Sequence, residues 1–322
     1  MKRLLALVAA LVAAAFLAAP AAGQAPYPSK PIRIVIPFGP GSSTDTIIRI
    51  LAEPVSAALG QPIVIEAKPG ADGAISAIEV AHAAPDGYTL LVGSGSPMAA
   101  VPYLRKNPPY DPLRDFTPIT DIGRYTVFMY VNSNVPAKTL AEFIAYAKAH
   151  PGKLSYATGN ASGIVAFAQF NALTGIDMLA VPYKSAPPAM LDLVAGRVDA
   201  MMDPPTTGLP YVKDGRLRAL VTTLDRRSPL LPDVPTIHEA GVPDFTISNW
   251  MGLVGPAGMP RDIVNRLNHE FAVAMKRPEV IAALDKQAFM PQPSTPEQFG
   301  AFIKEQMGSY AQLLKRAGIQ PD

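Results

Sequence analysis

From Pro31 onward, short β-branched runs alternate with glycine-rich polar loops and longer stretches of helical periodicity. Ile32–Ile36 is almost wholly apolar, which predicts a strand buried on both faces. After the loop 37–44, apolar residues at Ile47, Ile50, Leu51, Val55 and Leu59 predict a helix over 46–59, stopped by Gly60. A strand at 62–66, the loop 68–73, a helix at 74–84, the turn Asp86-Gly87 and a strand at 88–92 repeat the unit. The loop 93–97 closes this first block. The middle of the chain keeps the rhythm. A strand at 126–131 leads to a helix capped by Thr139 with Glu142 at the capping-box position, ending near His150. Strands at 153–157, 178–182, 198–202 and 217–223 follow, each of the first three leading into a helix. Prolines crowd 225–243 and predict a long irregular connection. A strand near 247–254 and helices at about 261–276, 278–286 and 296–317 complete the pattern.

Strands alternating with ~12-residue helices predict an α/β fold of mainly parallel sheets flanked by helices. At ~150 residues per domain, 322 residues suggest two lobes. The return strand near Trp250 predicts that the chain crosses between them twice. The lobes are then 26–124 with 248–322, and 125–247, with hinge segments near 122–130 and 246–250.

The first residues follow another pattern. Lys2-Arg3 precedes an apolar run from Leu4 to Ala19, then small residues at Ala21, Ala22, Gly23 and Ala25. This predicts a signal peptide over 1–25, cut between Ala21 and Ala25, and a mature protein exported to the periplasm without a membrane anchor. No later stretch is long and apolar enough to span a bilayer. The whole chain has 28 basic against 26 acidic residues, so loss of Lys2 and Arg3 leaves a neutral protein. The basic stripe of a nucleic-acid binder is absent. With no cysteine, disulfides, thiolate metal sites and Cys nucleophiles are excluded.

In open α/β sheets, ligands sit beyond the carboxyl ends of strands, where free N–H groups and the helix dipole favour anions. Gly41-Ser42-Ser43-Thr44, Ser94-Gly95-Ser96 and Thr158-Gly159-Asn160-Ala161-Ser162 occupy such positions. Each loop could simply cap its own helix. Three of them, in two lobes, point to a shared cleft. Enzymatic signals are weak. Gly39-x-Gly41 lacks the third glycine of a dinucleotide fingerprint, and 41–44 has no P-loop lysine. Gly93-Ser94-Gly95-Ser96 is out of phase for a nucleophile elbow, and His82, His150, His238 and His269 show no metal-ligand spacing. The reading is a binding protein without cofactor or metal. An exported carboxyl-ester hydrolase, which would need a Ser–His pair at Ser94, is the enzymatic alternative.

Tyr27-Pro28-Ser29-Lys30-Pro31-Ile32-Arg33-Ile34-Val35-Ile36-Pro37-Phe38, followed by Gly41-x-x-Thr44-Asp45, resembles the opening of the Bug-type solute receptors of tripartite tricarboxylate transporters. Ala84-Pro85-Asp86-Gly87-Tyr88-Thr89-Leu90, Val181-Pro182-Tyr183-Lys184 and Leu231-Pro232-Asp233-Val234-Pro235-Thr236 extend the likeness along the mature chain. The resemblance implies a two-lobed periplasmic binding protein of type II, a monomer that closes on a small carboxylated solute and hands it to membrane permease subunits. A sensor subunit serving a membrane kinase would use the same capture chemistry. It implies a first-lobe anion loop at Phe38, Gly39, Pro40, Gly41, Ser42, Ser43, Thr44 and Asp45, with Ser94 beside it. The second-lobe partners are then Thr158, Gly159, Asn160, Ala161 and Ser162, with Tyr183 and Asp203 at later strand ends. The family commonly has other residues at Gly39, Ser42, Lys68, Asp72, Ser185 and Pro204. The run Ile164-Val165-Ala166-Phe167, with Pro97 and Met98, predicts an apolar pocket wall suited to a ring or alkyl chain.

Overall fold

A computed structural model describes residues 27–321, so the predicted leader and its cleavage point lie outside the described residues. Two mixed sheets, each flanked by helices, form the two lobes. The first contains β1 (Ile32–Ile36), β2 (Ile63–Ala67), β3 (Thr89–Ser94), β4 (Phe116–Tyr125), β10 (Trp250–Pro256) and β11 (Phe289–Pro291), in the order β11-β4-β10-β3-β1-β2. The second contains β5 (Phe128–Asn132), β6 (Ser155–Thr158), β7 (Leu179–Pro182), β8 (Ala200–Asp203) and β9 (Leu217–Thr222), in the order β7-β6-β8-β5-β9.

The predicted parallel pairing holds for β2-β1-β3 and for β7-β6-β8. The remaining pairings are antiparallel, which corrects the expectation of mainly parallel sheets. The physical cause is the crossing itself. β5 and β10 are the first strands after the chain changes lobe, and each enters its sheet from the hinge side, against its neighbours. Both are buried along their whole length. At the junction the two crossing segments are tied together, Tyr125 N–H donating to Asn249 O at 2.8 Å.

The helices are α1 (Ser43–Leu59), α2 (Ala74–Ala81), α3 (Val101–Leu104), α4 (Leu140–Ala149), α5 (Ala161–Thr174), α6 (Ala186–Val194), α7 (Pro205–Lys213), α8 (Arg261–Ala274), α9 (Pro278–Asp285) and α10 (Pro296–Arg316). α1 starts three residues before the apolar periodicity because Ser42 caps it, its hydroxyl accepting from Asp45 N–H. Its core face is Ile47, Ile48, Leu51, Val55 and Leu59. Gly60, at φ 68°, ends it in the left-handed region that costs glycine nothing. Thr139 caps α4 as expected, while the Glu142 carboxylate reaches Lys138 N–H instead of closing the box.

Several elements escaped the sequence pattern, the three-residue β11 and the one-turn α3 among them. β4 is ten residues long, but Thr117, Thr120, Asp121, Gly123 and Arg124 interrupt its apolar signal. The loop expected at 93–97 is instead the end of β3 and a π-turn over Ser96–Ala100 that runs into α3. The irregular connection after β9 is present as expected and reaches β10 without a further helix or strand. α10 lies along β4 and also packs on α5, so the C-terminal helix touches both lobes.

Candidate functional site

Five strand-to-helix connections end at one place between the sheets. They follow β1, β3, β6, β7 and β8, and four of them open helices α1, α5, α6 and α7. Between them lies a cavity of about 60 Å³, counted as the space a water's centre can reach. Phe38, Ser42, Ser43, Thr44 and Ser94 line it from the first lobe, and Asn160, Ser162 and Asp203 from the second. Both halves of the expected site therefore face a common gap.

Several N–H groups at these helix starts already have partners. Ser42 N–H bonds to Gly39 O and Asp45 N–H to the Ser42 hydroxyl. Asn160 caps α5 by accepting from Gly163 N–H at 3.1 Å. Ala161 N–H is taken by the Ser96 hydroxyl across the gap, at 3.1 Å. Two further polar atoms are buried at the cavity wall with no partner among the described residues, Ser94 Oγ and Trp250 Nε1. An unpaired buried donor costs ~1–3 kcal/mol, and an indole N–H can only donate. Trp250 is held in place by edge contacts to Phe299 and Phe302, with ring centroids 5.9 and 5.3 Å away. Its N–H is thus fixed in position without an acceptor among the described residues.

The remaining expected residues stand behind the wall. Gly41 adopts φ 77°, which lets its N–H donate to the Asp45 carboxylate at 3.1 Å; that carboxylate also pairs with Arg49. Asp45 accordingly serves the first turn of α1. Gly39 faces Ser185 of the opposite lobe, and Pro40 is exposed beside it. Gly159 packs so closely on the Ser185–Ala186 backbone that a Cβ would meet Ala186 N at 2.5 Å. The Thr158 hydroxyl donates to Asn160 O, shaping the loop. The Tyr183 hydroxyl donates to Asp192 at 2.7 Å, and the residue does not line the cavity.

The apolar wall differs from the one expected. Met98 packs against Gly93, Phe167 stacks on Tyr156, and Val165 is fully buried. The wall consists of Phe38, Val127, Ala166, Met202 and the Trp250 ring. Sequence reasoning missed Tyr125, Val127, Asn249 and Trp250 because they come from the crossing segments, not from strand-to-helix loops. Gly95, Gly163, Ala186 and Pro204 also line the cavity and sit next to residues that had been expected. The single tryptophan beside an asparagine at a crossing point was the one available signal.

The lobes are in contact. Ser43 Oγ donates to Thr206 Oγ1 at 2.8 Å, and Tyr310 O–H donates to Ser162 Oγ at 3.3 Å. Among the described residues no Lys, Arg or His lines the cavity. Its ionisable groups are Tyr125 and Asp203, and burial pushes the Asp203 carboxyl up to about 7. The Thr207 hydroxyl, bonded to that carboxylate, pulls the other way. His82, His150 and His238 are engaged with backbone carbonyls and His269 is exposed, and none of the four lines the cavity beside Ser94. Among the described residues no cluster of His, Asp and Glu could hold a metal ion, and no helix is long and apolar enough to cross a membrane.

Comparisons with known proteins agree with this architecture. The tripartite tricarboxylate transporter family receptor pattern matches residues 47–319. Protein BugT of Bordetella pertussis is 35% identical over 324 residues, 99% of each chain. The structure of R. palustris Rpa4515 with adipate superposes with a TM-score of 0.88 at 31% identity, covering 92% of this chain and all of the other. MatC from Rhodopseudomonas palustris with bound malate gives 0.84 at 33% identity, covering 89% of this chain and all of the other.

Proposed function

The chain belongs to the tripartite tricarboxylate transporter receptor family, and on that premise we propose that it captures a small carboxylate between its lobes for delivery to a membrane permease of that transporter type. Its relatives are solute receptors and not enzymes. The observation that carries the reading is the donor-rich, cation-free cavity. Helix starts from both lobes open onto it, and Ser94 Oγ and Trp250 Nε1 wait there without partners. Backbone N–H groups and hydroxyls complement a carboxylate without a buried arginine. The adipate in Rpa4515 and the malate in MatC support the same ligand class.

In this reading the ligand contacts are Ser42, Ser43, Thr44, Ser94, Asn160, Ser162 and Asp203. Phe38 and Trp250 cover the carbon chain. The lobes divide as 26–124 with 248–322, and 125–247, and they open about the paired segments at 125 and 249. The protein works as a monomer in the periplasm after loss of its leader.

Titration of the purified protein with succinate, malate, adipate and benzoate tests this, followed by calorimetry and by the fluorescence of Trp250, the only tryptophan in the chain. Saturable binding of at least one acid is expected. Binding of neutral sugars or cations, with no response to any acid, would overturn the proposal.

A further inference from the structure

Asp203 ends β8 and faces the cavity with 5% of its surface exposed. What surrounds it is uncharged. The Thr207 hydroxyl on α7 donates to one carboxylate oxygen. Tyr125, at the end of β4, and Tyr130, on β5, lie close enough to feel its charge, and burial holds both phenols neutral. Phe128 is its register neighbour on β5. The acid of α1, Asp45, is turned to Gly41 N–H and Arg49. Among the described residues no Lys, Arg or His lines the cavity to balance a second negative charge.

A carboxylate drawn in by the helix starts would share this enclosed space with the Asp203 carboxylate. Two ionised carboxylates in a water-poor site with no cation do not both remain charged; one takes a proton. Resting on the carboxylate reading above, we infer that Asp203 meets the bound anion as a neutral acid, donating its proton to a ligand oxygen, so that capture takes up one proton from solvent. The residue is then a specificity determinant. It accepts an anion only with a proton, and it would remain ionised against a ligand ammonium group.

The sign follows from linkage. The free carboxyl already stands at about 7, and a neighbouring anion raises it further in the complex. Affinity is therefore full below the free value and falls as pH rises through it, by up to about tenfold per pH unit, until the value in the complex is reached. Both ligand carboxyls are ionised above about pH 7, where the affinity is expected to fall.

Calorimetry with succinate and with malate, from about pH 6 to about pH 9 in buffers of contrasting ionisation enthalpy, reads both affinity and protons. The expected result is a loss of about tenfold or more in affinity above pH 7, with proton uptake approaching one per ligand. Asp203→Asn, whose amide donates without titrating, is expected to lose the slope and the uptake. A flat wild-type profile with no uptake overturns the inference while leaving carboxylate capture intact. An unchanged slope in Asp203→Asn also overturns it. Absence of binding by either acid at every pH removes both the inference and the reading beneath it. Should Asp203→Asn fold poorly, Asp203→Ser, which also cannot titrate, is expected to show the same loss of slope and uptake.

Discussion

Ser162→Ala separates ligand capture from lobe closure, because the Ser162 hydroxyl serves both. Its oxygen accepts from Tyr310 O–H at 3.3 Å, which leaves its own proton to point into the cavity. Removing it deletes a donor to a charged ligand, worth ~1.5–3 kcal/mol, or about 10- to 100-fold in Kd. It also strands the Tyr310 hydroxyl, whose residue is 1% exposed and whose pKa burial pushes up to about 12. That stranding costs ~1–3 kcal/mol of the closed form. Tyr310→Phe keeps the donor and removes only the bond across the gap. A neutral bond of this length sits at the weak end of ~0.5–1.5 kcal/mol, so binding should weaken by only about 2- to 3-fold. Once Ser162 is alanine, Tyr310→Phe removes a stranded hydroxyl, so the double variant should bind no worse than Ser162→Ala alone. Quenching or enhancement of Trp250 fluorescence gives each Kd, and thermal unfolding shows whether the fold survives. A folded Ser162→Ala protein with wild-type affinity would remove Ser162 from the ligand contacts. A larger loss in Tyr310→Phe than in Ser162→Ala would assign the pair to closure alone.

Trp250→Phe removes the unpartnered indole N–H while keeping an aromatic ring. The expected outcome is affinity about tenfold or more weaker by calorimetry, with Tm lowered by the cavity that the smaller ring leaves in this buried site. Unchanged affinity would remove that nitrogen from the ligand contacts. Gly159→Ala places a Cβ 2.5 Å from Ala186 N and 2.7 Å from Ser185 C, and backbone cannot yield there without moving α6. A loss of ~1–3 kcal/mol in denaturant unfolding is expected, and an unchanged midpoint would show that the loop adapts freely. Arg33 bridges Glu66 and Glu79 at 2.7 and 2.5 Å, and its guanidinium holds the Glu66 carboxyl below the usual range. A depressed carboxyl stabilises above its unfolded value and loses that contribution as pH falls through the folded one. Stability should therefore decline below about pH 4.5, and Arg33→Met should flatten that decline in acid melts.

The local order of this protein is written in its sequence. β1 and β3 are legible because a strand covered on both faces must be apolar throughout, and α1 because one helix face must meet them. The polar loops holding the caps Ser42 and Asn160 are legible, but the helices begin inside those loops, ahead of the apolar periodicity, because a side-chain cap and not an apolar face sets the first turn. Such local requirements act within a few residues, so they leave marks at fixed spacing.

Other features depend on parts of the chain far apart. The reversal of β5 and β10 follows from the direction in which the chain re-enters each sheet, and no periodicity encodes that. β4 is a strand because β10 and β11 supply partners from residues far along the chain, which overrides its broken apolar pattern. Trp250, Tyr125 and Asn249 reach the cavity only because both crossings lie side by side. Asp203 owes its uncharged surroundings to residues from β4, β5 and α7, which close round it only in the folded protein. A short-range pattern can name a strand end or a cap. Enclosure, and the electrostatics that enclosure creates, arises only when segments distant in sequence exclude water together.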